Sequence, residues 1–167
     1  GPERIVEMMR RAVGEREVVQ VDSDEDNLKL AEEKEEEAYQ EIKDAFGVDP
    51  VRLSIYQEGM QFSSVDIDNS LQTAAMKFRY GKENVVYIIS TTYTDASYGI
   101  DVEDKITDQY YKEKKGQEIE ITEYQVKGKN EKRYSASYKY NGIEYFLIGT
   151  MTKQEFELII DNLNFNI

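Results

Sequence analysis

The chain has 167 residues, enough for one domain, and a formal charge of −13. A surface of that sign repels phosphate, which argues against nucleic acid and anionic lipid as partners of the domain body. Histidine and cysteine are both absent, which excludes Ser-His and Cys-His hydrolase sites, ordinary zinc and haem sites, disulfides and thiol redox chemistry.

Carboxylate, tyrosine and lysine chemistry remain, or no chemistry. At this length folding hides roughly 70% of the extended chain's surface, so a core without staples is feasible. Thirteen Tyr and six Phe supply its large apolar bodies. Lack of cysteine suits an exported chain and a cytosolic one alike. No stretch reads as a signal peptide or membrane span. Gly1-Pro2 resembles the remnant of a protease site, which leaves room for an upstream targeting or anchor segment.

Residues 3–19 read as mostly helical, with Ile5, Met8, Met9, Ala12 and Val13 at helical spacing and Gly14 interrupting them. An acidic linker follows over 20–27. Residues 1–24 are thus read as a helical segment and linker, and 25–167 as a single α+β domain. A second helix is expected over 28–46, with a narrow stripe of Leu28, Ala31, Ala38, Tyr39, Ile42, Ala45 and Phe46. Ser23 or Asp26 can cap its start, and Gly47 and Pro50 stop it. Ten acids against Lys29 and Lys34 make the stretch 22–41 strongly negative.

From Arg52 the apolar period becomes two. Strands are expected over 52–57, 60–68, 71–80, 84–94, 118–127, 132–140 and 143–150. In the second of these the apolar parity switches across Ser63-Ser64, which calls for a bulge. Tyr140-Asn141-Gly142-Ile143 marks a two-residue type I′ turn. It sets Tyr140 opposite Ile143, Tyr138 opposite Tyr145 and Ala136 opposite Leu147 on one face, with Lys139 meeting Glu144 on the other. A short helix is expected over 102–114, capped by Asp101, with Ile106 and Tyr110 inward and Gly116 ending it. Thr152-Lys153-Gln154-Glu155 is a capping box for a last helix, whose inner face is Phe156, Ile159, Ile160 and Leu163. The fold class expected is α+β: an antiparallel β-sheet meander with N-terminal and C-terminal helices packed on one face.

Three groupings bear on function. Asp22, Asp24, Asp26 and Glu33 stand at the first, third, fifth and twelfth places of a calcium-type loop. Asn27 replaces the glycine of such a loop and Lys29 its apolar residue; an acidic helix start that complements the helix dipole explains the same residues. Asp66-Ile67-Asp68-Asn69 reads as a polar turn. Ten tyrosines crowd the strand half, and Tyr134, Tyr138, Tyr140 and Tyr145 share one face. That face is either core beneath a helix or a platform for a ligand or partner. A carboxylate pair of the glycosidase kind needs two acids a fixed distance apart, which spacing along the chain does not reveal. No Gly-rich phosphate loop occurs.

The carboxy-terminal half resembles a known family. The residues that carry the likeness are Lys132-Arg133-Tyr134, then Tyr140-Asn141-Gly142-Ile143-Glu144-Tyr145-Phe146-Leu147-Ile148-Gly149, then the capped helix from Thr152 through Leu163. Together they are similar to the ending of the domain of unknown function 4367 family, frequent in Gram-positive bacteria. The likeness runs from about Arg52 onward. It implies an extracytoplasmic domain following a single membrane span, in some members of an anti-sigma-factor-like protein, and brings no catalytic residues.

The reading that follows is a non-catalytic sensory or binding domain, not an enzyme, with no cofactor. Its partner would be a protein or small-molecule ligand and not nucleic acid, and any membrane contact would come through an N-terminal anchor. The alternatives are a secreted carboxylate-based glycosidase and a calcium-dependent adhesive module.

Overall fold

The computed structural model describes residues 25–54, 59–91 and 104–165, with side chains from residue 32 onward. Its elements are α1 (Glu25–Phe46), β1 (Met60–Asp68), β2 (Thr73–Tyr80), β3 (Glu83–Ser90), β4 (Lys105–Lys114), β5 (Gln117–Gln125), β6 (Lys132–Tyr140), β7 (Ile143–Thr150) and α2 (Lys153–Asp161). The strands form one sheet in the order β1-β2-β3-β7-β6-β5-β4, and every pairing is antiparallel. Two meanders, β1 to β3 and β4 to β7, therefore meet where β7 pairs with β3. The chain enters the second meander at its far edge.

Turn chemistry fixes the register. Asn141 and Gly142 both have positive φ, 51° and 76°, as the type I′ turn requires. Tyr140, Tyr138 and Ala136 then face Ile143, Tyr145 and Leu147 as the sequence indicates. Lys139 reaches Glu144 at 3.7 Å on the other face. The bulge in β1 falls between Phe62 and Ser64. Asp68 ends β1 and closes the next turn by accepting from the Ser70 hydroxyl at 2.6 Å and the Leu71 N–H at 3.0 Å. Of the stretch read as a polar turn, Asp66, Ile67 and Asp68 are strand paired with β2, and the turn begins only at Asn69.

One expected helix is a strand. Residues 105–114 form β4, paired with β5 from Lys105–Gln125 to Lys114–Gln117. The helical reading relied on Ile106 and Tyr110 four residues apart. In fact Ile106 is 52% exposed, and only Tyr110 packs against the core. A bulge between Ile106 and Asp108 breaks the alternation that would have marked a strand. Gly116 does not end a helix; with Lys115 at φ 48° and itself at 79°, it makes a second tight hairpin turn. Of the strand expected over 52–57, the described residues 52–54 hold an isolated bridge between Arg52 and Asn164. The helix over 3–19, the Asp101 cap and the expected strand ends at 55–57 and 92–94 lie outside the described residues.

Both helices bury one face against the same side of the sheet. Ala38, Tyr39 and Ile42 of α1 and Phe156, Ile159 and Ile160 of α2 join Met76, Phe78, Tyr87, Ile89, Ile121, Tyr138 and Leu147 in a single core. Nine residues are too few for a helix to stand alone in water. Each fully buried Phe or Ile contributes roughly 1.5–3 kcal/mol, which secures α2 to the sheet. Its capping box is complete: Glu155 N–H donates to the Thr152 hydroxyl at 3.2 Å, and Thr152 N–H to the Glu155 carboxylate at 2.9 Å. At the other helix, Gly47 at φ 75° takes the left-handed stop, its N–H bonding to the Lys43 carbonyl at 2.8 Å. On the far side of the sheet the cross-strand pairs Val86–Ile148 and Ile88–Phe146 are also buried. No described helix is long and apolar enough to cross a membrane.

Candidate functional site

The four tyrosines singled out by sequence divide between interior and rim. Tyr138 and Tyr145 are directly opposite across the hairpin, so their rings stack at 5.0 Å with planes 10° apart. Tyr87 of β3 stacks on the other side of Tyr145 at 5.8 Å. These rings lie under the segment that joins α1 to β1, and the Tyr145 and Tyr87 hydroxyls bind its backbone. Tyr145 Oη accepts the Val51 N–H at 3.0 Å, and Tyr87 donates to the Val51 carbonyl at 2.7 Å. Tyr39 of α1 accepts the Leu53 N–H at 3.1 Å. On its outer side the segment is closed by the Asn164 N–H, which donates to the Arg52 carbonyl at 3.0 Å.

Burial pushes the Tyr87, Tyr138 and Tyr39 phenols well above their ordinary range and Tyr145 to about 12. These groups are therefore neutral clamps, spent on holding the chain. Tyr140 is half-buried, edge-on to Phe165 at 5.3 Å. The shared tyrosine face is core, the first of the two alternatives its sequence allowed.

Tyr134 is buried as well, but its hydroxyl points out of the core. Its ring stacks on Phe156 at 5.6 Å, and its hydroxyl reaches the rim of the sheet, donating to Glu123 Oε2 at 2.8 Å. The other Glu123 oxygen accepts from the Thr107 hydroxyl at 2.8 Å and lies 3.5 Å from Lys132 Nζ. Beside it, Tyr110 of β4 donates to Glu157 of α2 at 2.6 Å, and Lys153 Nζ covers the Tyr110 ring at 4.8 Å. Lys112 completes the row, 3.6 Å from Glu157 and 2.7 Å from Asp161. Tyr80 makes a third phenol–carboxylate contact, with Glu155. Strand register and helix docking together create this rim, for its partners stand far apart in the chain.

Two of the rim carboxylates, Glu123 and Glu155, are held in the ionised form. Hydrogen bonds from Thr107 and then Tyr134 lower the Glu123 pKa. Burial alone would raise Glu155, but the Tyr80 hydroxyl and the Thr152 N–H outweigh it and bring the pKa down. Arrangements of this kind accept hydrogen bonds and pair with cations; they do not store a proton for transfer near neutral pH. Along β5 beyond Glu123 the surface opens into a shallow depression of about 580 Å³ lined by Lys105, Gln125, Val126, Lys127, Gly128, Lys129 and Asn130. It is a basic spot on an acidic protein.

Of the calcium-type set, Asp22 and Asp24 and the side chain of Asp26 lie outside the described residues, and Glu33 is exposed on α1. Among the described residues no group of three or more acids is placed to hold a metal ion. Sequence reasoning missed Tyr110, Glu123, Glu157 and Lys112 as a group. The one local signal was the i, i+4 spacing of Lys153, Glu157 and Asp161, which puts them on the helix face beside the inner one.

Among curated proteins, none matches the chain. A family model described as "Domain of unknown function (DUF4367)" matches residues 50–163. That span runs from the backbone segment held by the tyrosines to the end of the α2 region, and it includes every strand and every rim residue. The chain belongs to this family of domains of unknown function.

Proposed function

We propose that this chain is a non-catalytic sensory or binding domain on the outer side of a membrane-anchored protein of the anti-sigma-factor-like kind. The observation that supports the non-catalytic part is how its carboxyl groups are distributed. At the rim, Glu123 and Glu155 have lowered pKa values and serve as acceptors. The described carboxyl with a raised pKa, Glu35, is buried between α1 and the sheet, away from the rim. An acid–base pair needs one of each in the same cleft. The carboxylates and lysines that β4, β5, β6 and α2 bring to the rim suit a polar ligand or partner protein. The outer location and the link to a sigma factor are supported by the family resemblance.

The test is made in cells, on the protein expressed with its natural upstream sequence and a tag on the domain. Protease added to intact cells should remove the tag, and deletion of the domain should change transcription from a promoter that depends on an alternative sigma factor. A tag protected until the cells are lysed would overturn the location. Hydrolysis of a glycoside by the purified domain, lost on Glu123→Gln while the fold persists, would overturn the non-catalytic reading.

A further inference from the structure

The seam between α1 and the sheet holds a carboxyl that no contact described so far uses. Glu35 precedes Ala38 by three residues and Tyr39 by four, so the helix carries it inward on the same face. It is 8% exposed, beside residues that are fully buried. A helix packed on a sheet ordinarily places an apolar residue there. The Glu35 carboxylate has no hydrogen-bond or ion-pair partner among the described residues.

The surrounding charges do not neutralise it. On its own helix the nearest are Glu32 and Glu36, of like sign. The connection to β1 brings Arg52, but that guanidinium is already engaged. Its Nη1 meets the two Glu36 oxygens at 2.7 and 2.5 Å, its Nη2 lies 3.7 Å from Asp49, and its plane covers the Tyr39 ring at 5.0 Å. The Tyr39 hydroxyl is held by the Leu53 N–H. From the sheet, α1 meets β1. The charged residues of that strand, Asp66 and Asp68, alternate with the core-facing Val65 and Ile67 and point to the far face. Burial first, then Glu36 and Glu32, push the Glu35 pKa up to about 8, with Arg52 opposing.

We propose that Glu35 is a proton-controlled latch for α1: the helix docks on the sheet while this carboxyl is protonated, and its ionisation loosens the helix without unfolding the sheet. In the docked helix the group titrates near 8, and in a released one near the ordinary 4.5. The docked form therefore holds a proton that the released form gives up. Docking is firmest below about pH 4.5, weakens steadily as the pH rises to about 8, and changes little beyond. Tyr39, Arg52 and the segment Val51 to Leu53 hang on the same helix, so the grip on the linker should relax with it. The latch does not depend on what the domain binds.

Amide hydrogen exchange on the whole chain, corrected for intrinsic rates, tests it at pH 6 and pH 9. Protection of residues 34–46 should fall about tenfold or more relative to β3 and β7 in the unaltered protein. In Glu35→Gln, which keeps the shape and cannot ionise, α1 should hold its pH 6 protection at pH 9. The Glu35 carboxyl ¹³C signal, assigned through its own backbone, should titrate with a midpoint near 8. A midpoint near 4.5, or the same pH dependence of α1 in both proteins, would overturn the latch. The carboxyl titration decides the matter even if Glu35→Gln folds poorly.

Discussion

The Tyr87 hydroxyl donates to the Val51 carbonyl at 2.7 Å and lies 2.6 Å from the Tyr138 hydroxyl. A phenol has one proton, and the carbonyl takes it. Tyr138 must therefore be the donor to Tyr87. This order makes the two phenols unequal. Tyr87→Phe strands a buried carbonyl and a buried hydroxyl and should cost about 1–3 kcal/mol. Tyr138→Phe leaves Tyr87 still bonded to Val51 and should cost less. Urea unfolding of the two variants checks the ranking; a larger loss for Tyr138→Phe would reverse the assigned donor order.

Gly149 of β7 answers to a different constraint. Its backbone is unremarkable, but a Cβ added there would meet Met151 Cε and Val85 Cγ2 at 3.0 Å. The methionine end can swing away, whereas Val85 sits fully buried on β3 with little room to move. Gly149→Ala should therefore destabilise by about 1–3 kcal/mol through overpacking. Removing the obstacle supplies the control. Gly149→Ala combined with Val85→Ala should cost measurably less than the two single changes added together, as read from chemical denaturation.

What can be read along the chain is what neighbouring residues decide among themselves. The β6–β7 hairpin is legible because Asn141-Gly142 dictates the turn and the apolar parity independently agrees with it. The cap of α2 is legible because Thr152 and Glu155 act within one turn. β4 is not, because an edge strand with a bulge at Thr107 and one thinly covered face loses its alternation, while Ile106 and Tyr110 happen to repeat at four. The rim is not, because Tyr110 and Glu157 stand 47 positions apart and meet only after β4 takes the sheet edge and α2 docks. Glu35 hides in plain view. Counting back from Ala38 and Tyr39 marks its position as inward-facing, yet five glutamates from residue 32 to 37 read together as a solvated face.

Arg133 and Asp104 form an ion pair with 9% and 3% of their side chains exposed. Arg133 also donates from Nε to the Thr150 hydroxyl at 3.3 Å. Asp104 immediately precedes β4, so the pair fixes where the chain enters the outer meander. Asp104→Ala abandons a buried guanidinium and should cost about 3–5 kcal/mol. Replacing both partners with apolar residues of similar bulk, Asp104→Leu with Arg133→Met, should recover most of that loss. Urea midpoints for the two variants check it. An exposed pair would show neither the large single loss nor the recovery.

Alkaline stability follows from the same phenols that grip Val51 and Leu53. Burial raises Tyr39, Tyr87 and Tyr138 well above the ordinary value of 10, and Tyr145 to about 12. The unfolded chain ionises its tyrosines near 10, so above that pH it gives up protons that the folded chain retains. The stabilisation is complete below pH 10 and is lost as the pH climbs toward the folded values. The absorbance at 295 nm contributed by the buried phenols should therefore rise only well above pH 10 and in a single step, coinciding with the collapse of far-ultraviolet dichroism. Replacing Tyr145 by Phe removes one of the protons released in that step. The dependence of stability on pH above 10 should become shallower in that variant, even though its stability at pH 8 is lower for want of a partner to the Val51 N–H. If all tyrosines ionised in one stage near 10 while the dichroism stayed native, the clamp around Val51 would not be the sealed cluster described above.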